Sequence, residues 1–178
     1  MSIEAKAARI RLLLFDVDGV LTDGRVVVHA DGTESKAFGI RDGIAIVWAQ
    51  RAGLLVGFLS ARTSATTPHR AAQLGVTIVH QGVLRKLDGY ERIVADARVA
   101  DEEVAYMGDD IVDLAVLARV GLSAAPADAV DEVRSTVDWV SSAKGGRGAA
   151  RELIETVLRA QDRWDAIVAS YADEARGA

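Results

Sequence analysis

Two aspartates one residue apart, Asp16 and Asp18, end an apolar run from Ile10 to Phe15 and precede Gly19. Carboxylates so close repel one another unless a cation or a shared proton relieves them. A hard divalent metal with a preference for oxygen is the simplest relief. Further polar groups follow other apolar runs. Ser60, with Ala61 and Arg62, comes after Leu59, and Gly108-Asp109-Asp110 comes after Met107, with Asp113 one helical turn on. Lys86 opens a helical stretch ahead of Val104. About four carboxylates, a hydroxyl and an ammonium at one sheet edge describe a Mg2+-dependent phosphate site, because Mg2+ takes one or two carboxylates, several waters and a phosphate oxygen.

Each group then has a physical role. Asp16, nearest the strand end, suits a nucleophile that forms an aspartyl-phosphate. Asp18 is spaced to protonate the departing alkoxide and later to deprotonate water. Ser60 and Lys86 would bind non-bridging phosphate oxygens. Asp109 would complete the metal shell, with Asp110 and Asp113 holding waters or Lys86 behind it. Alone, Asp-Gly reads as a turn and Gly-Asp-Asp as a helix cap. Four such positions in compatible order argue against coincidence.

The elements that must position these groups alternate. Strands are expected at Ile10–Phe15, Leu54–Leu59, Val76–Val79, Val104–Met107, Leu122–Ala124 and Asp138–Val140. Helices are expected over Gly43–Ala52, a stretch ending at Leu74 with Thr67 as cap and Pro68 first inside, Leu87–Arg98, Ile111–Arg119 and Ala149–Gln161. Serial βα units predict an α/β fold, a doubly wound parallel sheet with helices on both faces. Ligands bind such sheets beyond the carboxyl ends of the strands. The stretch 25–38 breaks the rhythm and reads as a hairpin around Asp31-Gly32, projecting over that same edge.

At 178 residues, half of them apolar, the chain suits one domain over 1–161, with a charged, helical tail over 162–178. Net charge −5 with scattered basic residues argues against nucleic acid or a membrane surface as partner. Without cysteine there are no disulfides or thiolate metal sites. The opening residues lack a signal peptide's apolar core, so a cytoplasmic protein is expected.

With these motifs in place, the chain resembles the haloacid dehalogenase superfamily of phosphotransferases. The four motifs of that family correspond to Asp16-Val-Asp18-Gly-Val, Ser60, Lys86 and Gly108-Asp109-Asp110-Ile-Val-Asp113. The resemblance implies a Rossmann-like sheet of central order 3-2-1-4-5, Asp16 as nucleophile and Asp18 as acid/base. It also implies Mg2+ held by Asp16, the Asp18 backbone carbonyl and Asp109. Lys36-Ala-Phe, Arg41-Asp42-Gly43, Gln81-Gly82-Val83 and Gly145-Gly-Arg-Gly-Ala149 are similar to the small branch without a large cap domain. In that branch the hairpin acts as a flap and the proteins form homotetramers, a neighbouring subunit serving as lid. The C-terminal region is expected to touch neighbours too.

That branch implies a phosphorylated sugar acid as substrate, an octulosonate 8-phosphate ahead of a nonulosonate 9-phosphate or another small phosphomonoester, within lipopolysaccharide biosynthesis. Arg62 is the first candidate for the substrate carboxylate, followed by Lys36, Arg41, Arg70 and Arg147. The chain departs from the pattern at Ala61, where glycine is common, and at Ile44, where a tyrosine is. Two other classes compete: a phospho-accepting receiver-like module, against which Asp18 argues, and a non-catalytic oligomeric partner of a sugar-activating enzyme.

Overall fold

The computed structural model describes residues 1–174; the last four residues of the expected tail, 175–178, lie outside the described residues. Six strands form one parallel sheet: β1 (Leu12–Phe15), β4 (Leu55–Leu59), β5 (Ile78–His80), β6 (Val104–Met107), β7 (Leu122–Ala125) and β8 (Trp139–Val140). Their order is β5-β4-β1-β6-β7-β8, the expected central arrangement with β8 added at one edge. β1 pairs with both β4 and β6, so its end stands where the winding reverses direction.

All four residues of β1 are buried because each face is covered. Leu13 and Phe15 join a core with Ile46, Leu153 and Ile154, while Leu12 and Leu14 join Tyr90, Ile93 and Val116 on the other face. The first face is closed by α2 (Ile40–Arg51) and α7 (Ala149–Ala160), the second by α4 (Lys86–Ala97) and the short α5 (Leu114–Leu117). Burial on both sides is why this strand reads as an unbroken apolar run rather than an alternating one.

Shorter helices complete the chain: α1 (Ile3–Ala7), α3 (Thr66–Leu74), α6 (Asp131–Arg134) and α8 (Trp164–Glu174). α8 docks through aromatic edges, with Trp48 meeting Trp164 at 5.6 Å and Tyr171 at 5.9 Å between ring centroids. No helix among the described residues is long and apolar enough to cross a membrane. The hairpin is antiparallel, β2 (Val27–Val28) with β3 (Glu34–Ser35), and no large cap is inserted among the described residues. Regular pairing covers only two residues on each arm, fewer than the sequence suggests.

Two local expectations are corrected. Thr67 does not cap α3: the helix begins at Thr66, Thr67 is buried, and the Ser64 hydroxyl accepts from the Thr66 backbone N–H at 3.3 Å. Pro68 therefore stands third, still among the first-turn positions that need no intrahelical donor. The expected helix 111–119 is broken into a 3₁₀ turn at Ile111–Asp113 followed by α5. Its start is tightened because Asp113 Oδ2 accepts from the backbone N–H groups of Asp109 and Asp110.

Candidate active site

The ends of β1, β4 and β6 and the start of α4 converge on one buried charge cluster. Asp16 directly follows β1, and its N–H donates to the Met107 carbonyl at 3.0 Å, which prolongs the sheet by one residue. The Lys86 side chain is almost fully enclosed; its Nζ lies 2.9 Å from Asp16 Oδ1 and pairs also with Asp113 Oδ1. The Tyr106 hydroxyl donates to the same Asp113 oxygen. Asp113 thus has both oxygens committed, one to Lys86 and Tyr106 and one to two backbone N–H groups. It anchors the lysine beside the buried Asp16.

Charge is not balanced in this cluster. Lys86 is shared by two carboxylates, and Asp109 adds a third; one oxygen from each of Asp16, Asp109 and Asp113 lies within 4.8 Å of the others. Asp109 Oδ1 is buried without a hydrogen-bond partner. Burial, and then the neighbouring Asp16 and Asp113, push its carboxyl up to about 8. Burial also raises Asp16, to about 6, against the opposing pull of Lys86. An excess of buried carboxylate with a free oxygen is the donor set a hard divalent cation fits. With Asp113 occupied, Asp16 and Asp109 are the side chains available to such an ion.

Glycines let the loops approach one another. Gly19 has φ +97°, and a Cβ there would meet Asp109 Oδ2 at 2.0 Å. At Gly145 a Cβ would meet the Gly19 carbonyl at 1.8 Å. The 145–148 loop therefore supports the Asp16–Gly19 loop from beneath. Asp42 holds that loop in turn, its two oxygens accepting from the backbone N–H of Gly148 at 3.1 Å and of Arg151 at 3.0 Å.

Asp18 faces the hairpin. Lys36 Nζ sits 2.7 Å from its Oδ1, and Arg62 Nε lies 3.8 Å from its Oδ2. Arg62 also donates to Glu34 Oε2 at 2.8 Å. Ser60 is buried at the end of β4, where its hydroxyl accepts from the Arg62 N–H at 3.2 Å.

The remaining sequence candidates lie apart from this cluster. Asp110 is exposed and caps the 3₁₀ turn, accepting from the Ile111 N–H at 2.7 Å, rather than holding Lys86. Arg41 and Arg147 are exposed and line an open cleft of about 520 Å³ with Arg151 and Glu152. Arg70 lies over the Phe38 ring, 5.8 Å from its centroid, and bonds the Gly39 carbonyl. Tyr106, Asp42 and Glu34 were not anticipated. A tyrosine inside a fully buried strand was the available signal for Tyr106, since a buried phenol seeks a partner.

Fold and site define this as a haloacid dehalogenase-like hydrolase: a profile of that family matches residues 57–153, and the chain belongs to it. More narrowly, it is 42% identical over 161 residues to the 3-deoxy-D-manno-octulosonate 8-phosphate phosphatase KdsC of Escherichia coli K12, covering 90% of this chain and 86% of that protein. The crystal structure of the phosphatase of that name from Yersinia pestis superposes with TM-score 0.90 and 40% identity, covering 92% of this chain and 88% of that one. The corresponding phosphatase from Moraxella catarrhalis, solved with a magnesium ion, a phosphate ion and a KDO molecule, gives TM-score 0.93 at 32% identity, covering 95% and 97%.

Proposed function

We propose that this chain is a Mg2+-dependent phosphomonoesterase that releases phosphate from 3-deoxy-D-manno-octulosonate 8-phosphate through an aspartyl-phosphate on Asp16. The observation that carries this reading is the half-buried Asp109, with one oxygen shielded and unpartnered, beside the buried Asp16–Lys86 pair at the switch point of the sheet. The substrate reading draws on the similarity to phosphatases of that name. Bound Mg2+, on Asp16, Asp109 and the Asp18 carbonyl, would supply positive charge that offsets repulsion between the nucleophile and the phosphate.

The chain's own residues divide the rest of the work. A carboxylate oxygen of Asp16 attacks phosphorus as the bond to the sugar oxygen breaks. That oxygen leaves with the electron pair and takes a proton from Asp18. Asp18 then removes a proton from the water that attacks the acyl-phosphate, freeing inorganic phosphate and restoring Asp16. Lys86 and Ser60 hold the non-bridging oxygens as their charge redistributes. Arg62, near Asp18 and half exposed, is the first candidate for the sugar carboxylate.

Phosphate release should be measured on a panel containing the octulosonate 8-phosphate, a nonulosonate 9-phosphate and simple phosphomonoesters. The expected result is turnover fastest on the first, lost with a chelator and restored by Mg2+. Inactivity across the panel with Mg2+ present would overturn the reading.

Metal binding should also be linked to protons. In the metal-free protein Asp109, raised to about 8, and Asp16, raised to about 6, retain protons that an unfolded chain has lost. Mg2+ must displace them, so its affinity should climb as pH rises through that interval and level off above it. Titration calorimetry in two buffers of different ionisation enthalpy reads the released protons. Binding without proton release would count against Asp109 as a ligand.

A homotetramer belongs to the same proposal. Val27 and Val28 on the hairpin, and Leu84 just before α4, are large apolar side chains that a single chain leaves exposed. Light scattering should give four times the chain mass, and Val28→Glu should reduce it; a monomeric wild type would refute this part. A phosphorylated sugar acid is too highly charged to cross a membrane unaided, which favours work in the cytoplasm.

A further inference from the structure

Lys36 lies one residue past β3 on a hairpin whose surroundings are open, yet no part of its side chain is exposed. Its Nζ donates a hydrogen bond to Asp18 Oδ2 at 2.9 Å and lies at ion-pair distance, 2.7 Å, from Oδ1. Asp18 also meets Arg62, which reaches back to Glu34 on the same hairpin. The hairpin thus returns to the Asp18 loop twice, through Lys36 directly and through Glu34 by way of Arg62. Ordering a lysine side chain costs rotamer entropy, and a shielded ammonium needs a partner to offset its lost hydration. A hairpin serving only as surface decoration requires neither.

We propose that Lys36 is a positioning residue for Asp18, fixing the plane of its carboxyl group so that Asp18 is correctly aimed only while the hairpin is closed. This rests on the phosphatase reading above and adds to it a link between hairpin closure and proton transfer. In the first step the Asp16–phosphorus bond forms, the phosphorus–sugar oxygen bond breaks, and the proton on Asp18 passes to that oxygen. In the second, Asp18 receives a proton from water. Both transfers need the same carboxyl orientation, and Lys36 is the group that touches both of its oxygens. Gripping the substrate carboxylate is not the role assigned to Lys36, because its ammonium is paired with Asp18 and its side chain has no open face.

The test is a double-mutant cycle in the full-length protein with Mg2+, with steady-state kinetics on the octulosonate 8-phosphate. Lys36→Met should lower kcat about 10- to 100-fold, the scale on which a misaimed catalytic group acts. KM should move less than about twofold, since uniform binding is untouched. In an Asp18→Asn background the same substitution should cost less than about twofold, because the coupled partner has gone. Lys36→Arg, which keeps the charge and its reach, should recover part of kcat. Lys36→Gln serves if the methionine variant fails to fold, with the same expectation, and thermal melting confirms that each variant is folded. An equal loss in both backgrounds, or a raised KM with kcat intact, overturns the proposal. A Lys36 variant as fast as an active wild type overturns it alone, whereas an inactive wild type overturns the phosphatase reading itself.

Discussion

Asp16→Asn should reduce turnover by a factor on the order of 10⁴ or more while the protein remains folded, since removing a covalent nucleophile has effects of at least that size. The amide nearly matches the carboxylate in volume, and its oxygen can still accept from Lys86, which keeps its second partner Asp113. Stability should not suffer. Burial raises the Asp16 carboxyl to about 6 from an ordinary 3.8. The sign follows: a folded state that binds its proton more tightly than the unfolded chain loses stability as pH rises from about 4 through about 6. Asparagine has no proton to lose, so without metal the variant should melt as high as wild type, or higher, above that interval. Phosphate release together with melting curves between pH 4 and 8 checks both halves. Near-normal turnover would remove Asp16 from its proposed role, and a phosphorylated wild type that never turns over would favour a phospho-accepting module.

The sequence discloses this site as far as it depends on strand ends. A parallel sheet brings every carboxyl end to one edge, so apolar runs broken by Asp16, Ser60 and Asp109 could be placed together before any coordinates. Lys86 was reachable in the same way, as the first residue of α4. The partners were less visible. Asp113 was expected behind Lys86 and is there, whereas the adjacent Asp110 turned to its own backbone. Asp42 caps a loop 106 residues away, a pairing that depends on how α2 and α7 cross rather than on any local pattern. The hairpin was legible from its Asp-Gly turn, but not its tilt, and tilt is what brings Lys36 onto Asp18 and Glu34 onto Arg62. Arg62 and Arg70, read as candidates for the substrate carboxylate, each have partners within the folded chain, because guanidinium groups in crowded loops find carboxylates, carbonyls and rings.

Lys86→Met is the second large effect, because it strikes chemistry and stability together. The ammonium is enclosed, lies 2.9 Å from Asp16, pairs with Asp113 and touches the Tyr106 hydroxyl. Methionine fills a similar length but leaves buried carboxylates facing one another with no cation between them. Breaking such a buried arrangement by removing one partner typically costs about 3–5 kcal/mol. Denaturant unfolding of the metal-free protein should fall within that range. Turnover should drop by about 10²- to 10³-fold, the usual consequence of losing one preorganised donor to a developing anion. Mg2+ should restore more of the stability than of the rate, since a cation at Asp16 and Asp109 would offset repulsion there but could not replace the donor that pairs with Asp113 and is proposed to hold a phosphate oxygen. Lys86→Arg should not rescue the rate: the planar guanidinium is larger than the ammonium and cannot meet Asp16, Asp113 and Tyr106 from the same enclosed position. Full activity in either variant would show that the lysine balances charge without touching the phosphate, and Ser60 would then be left as the principal holder of its oxygens.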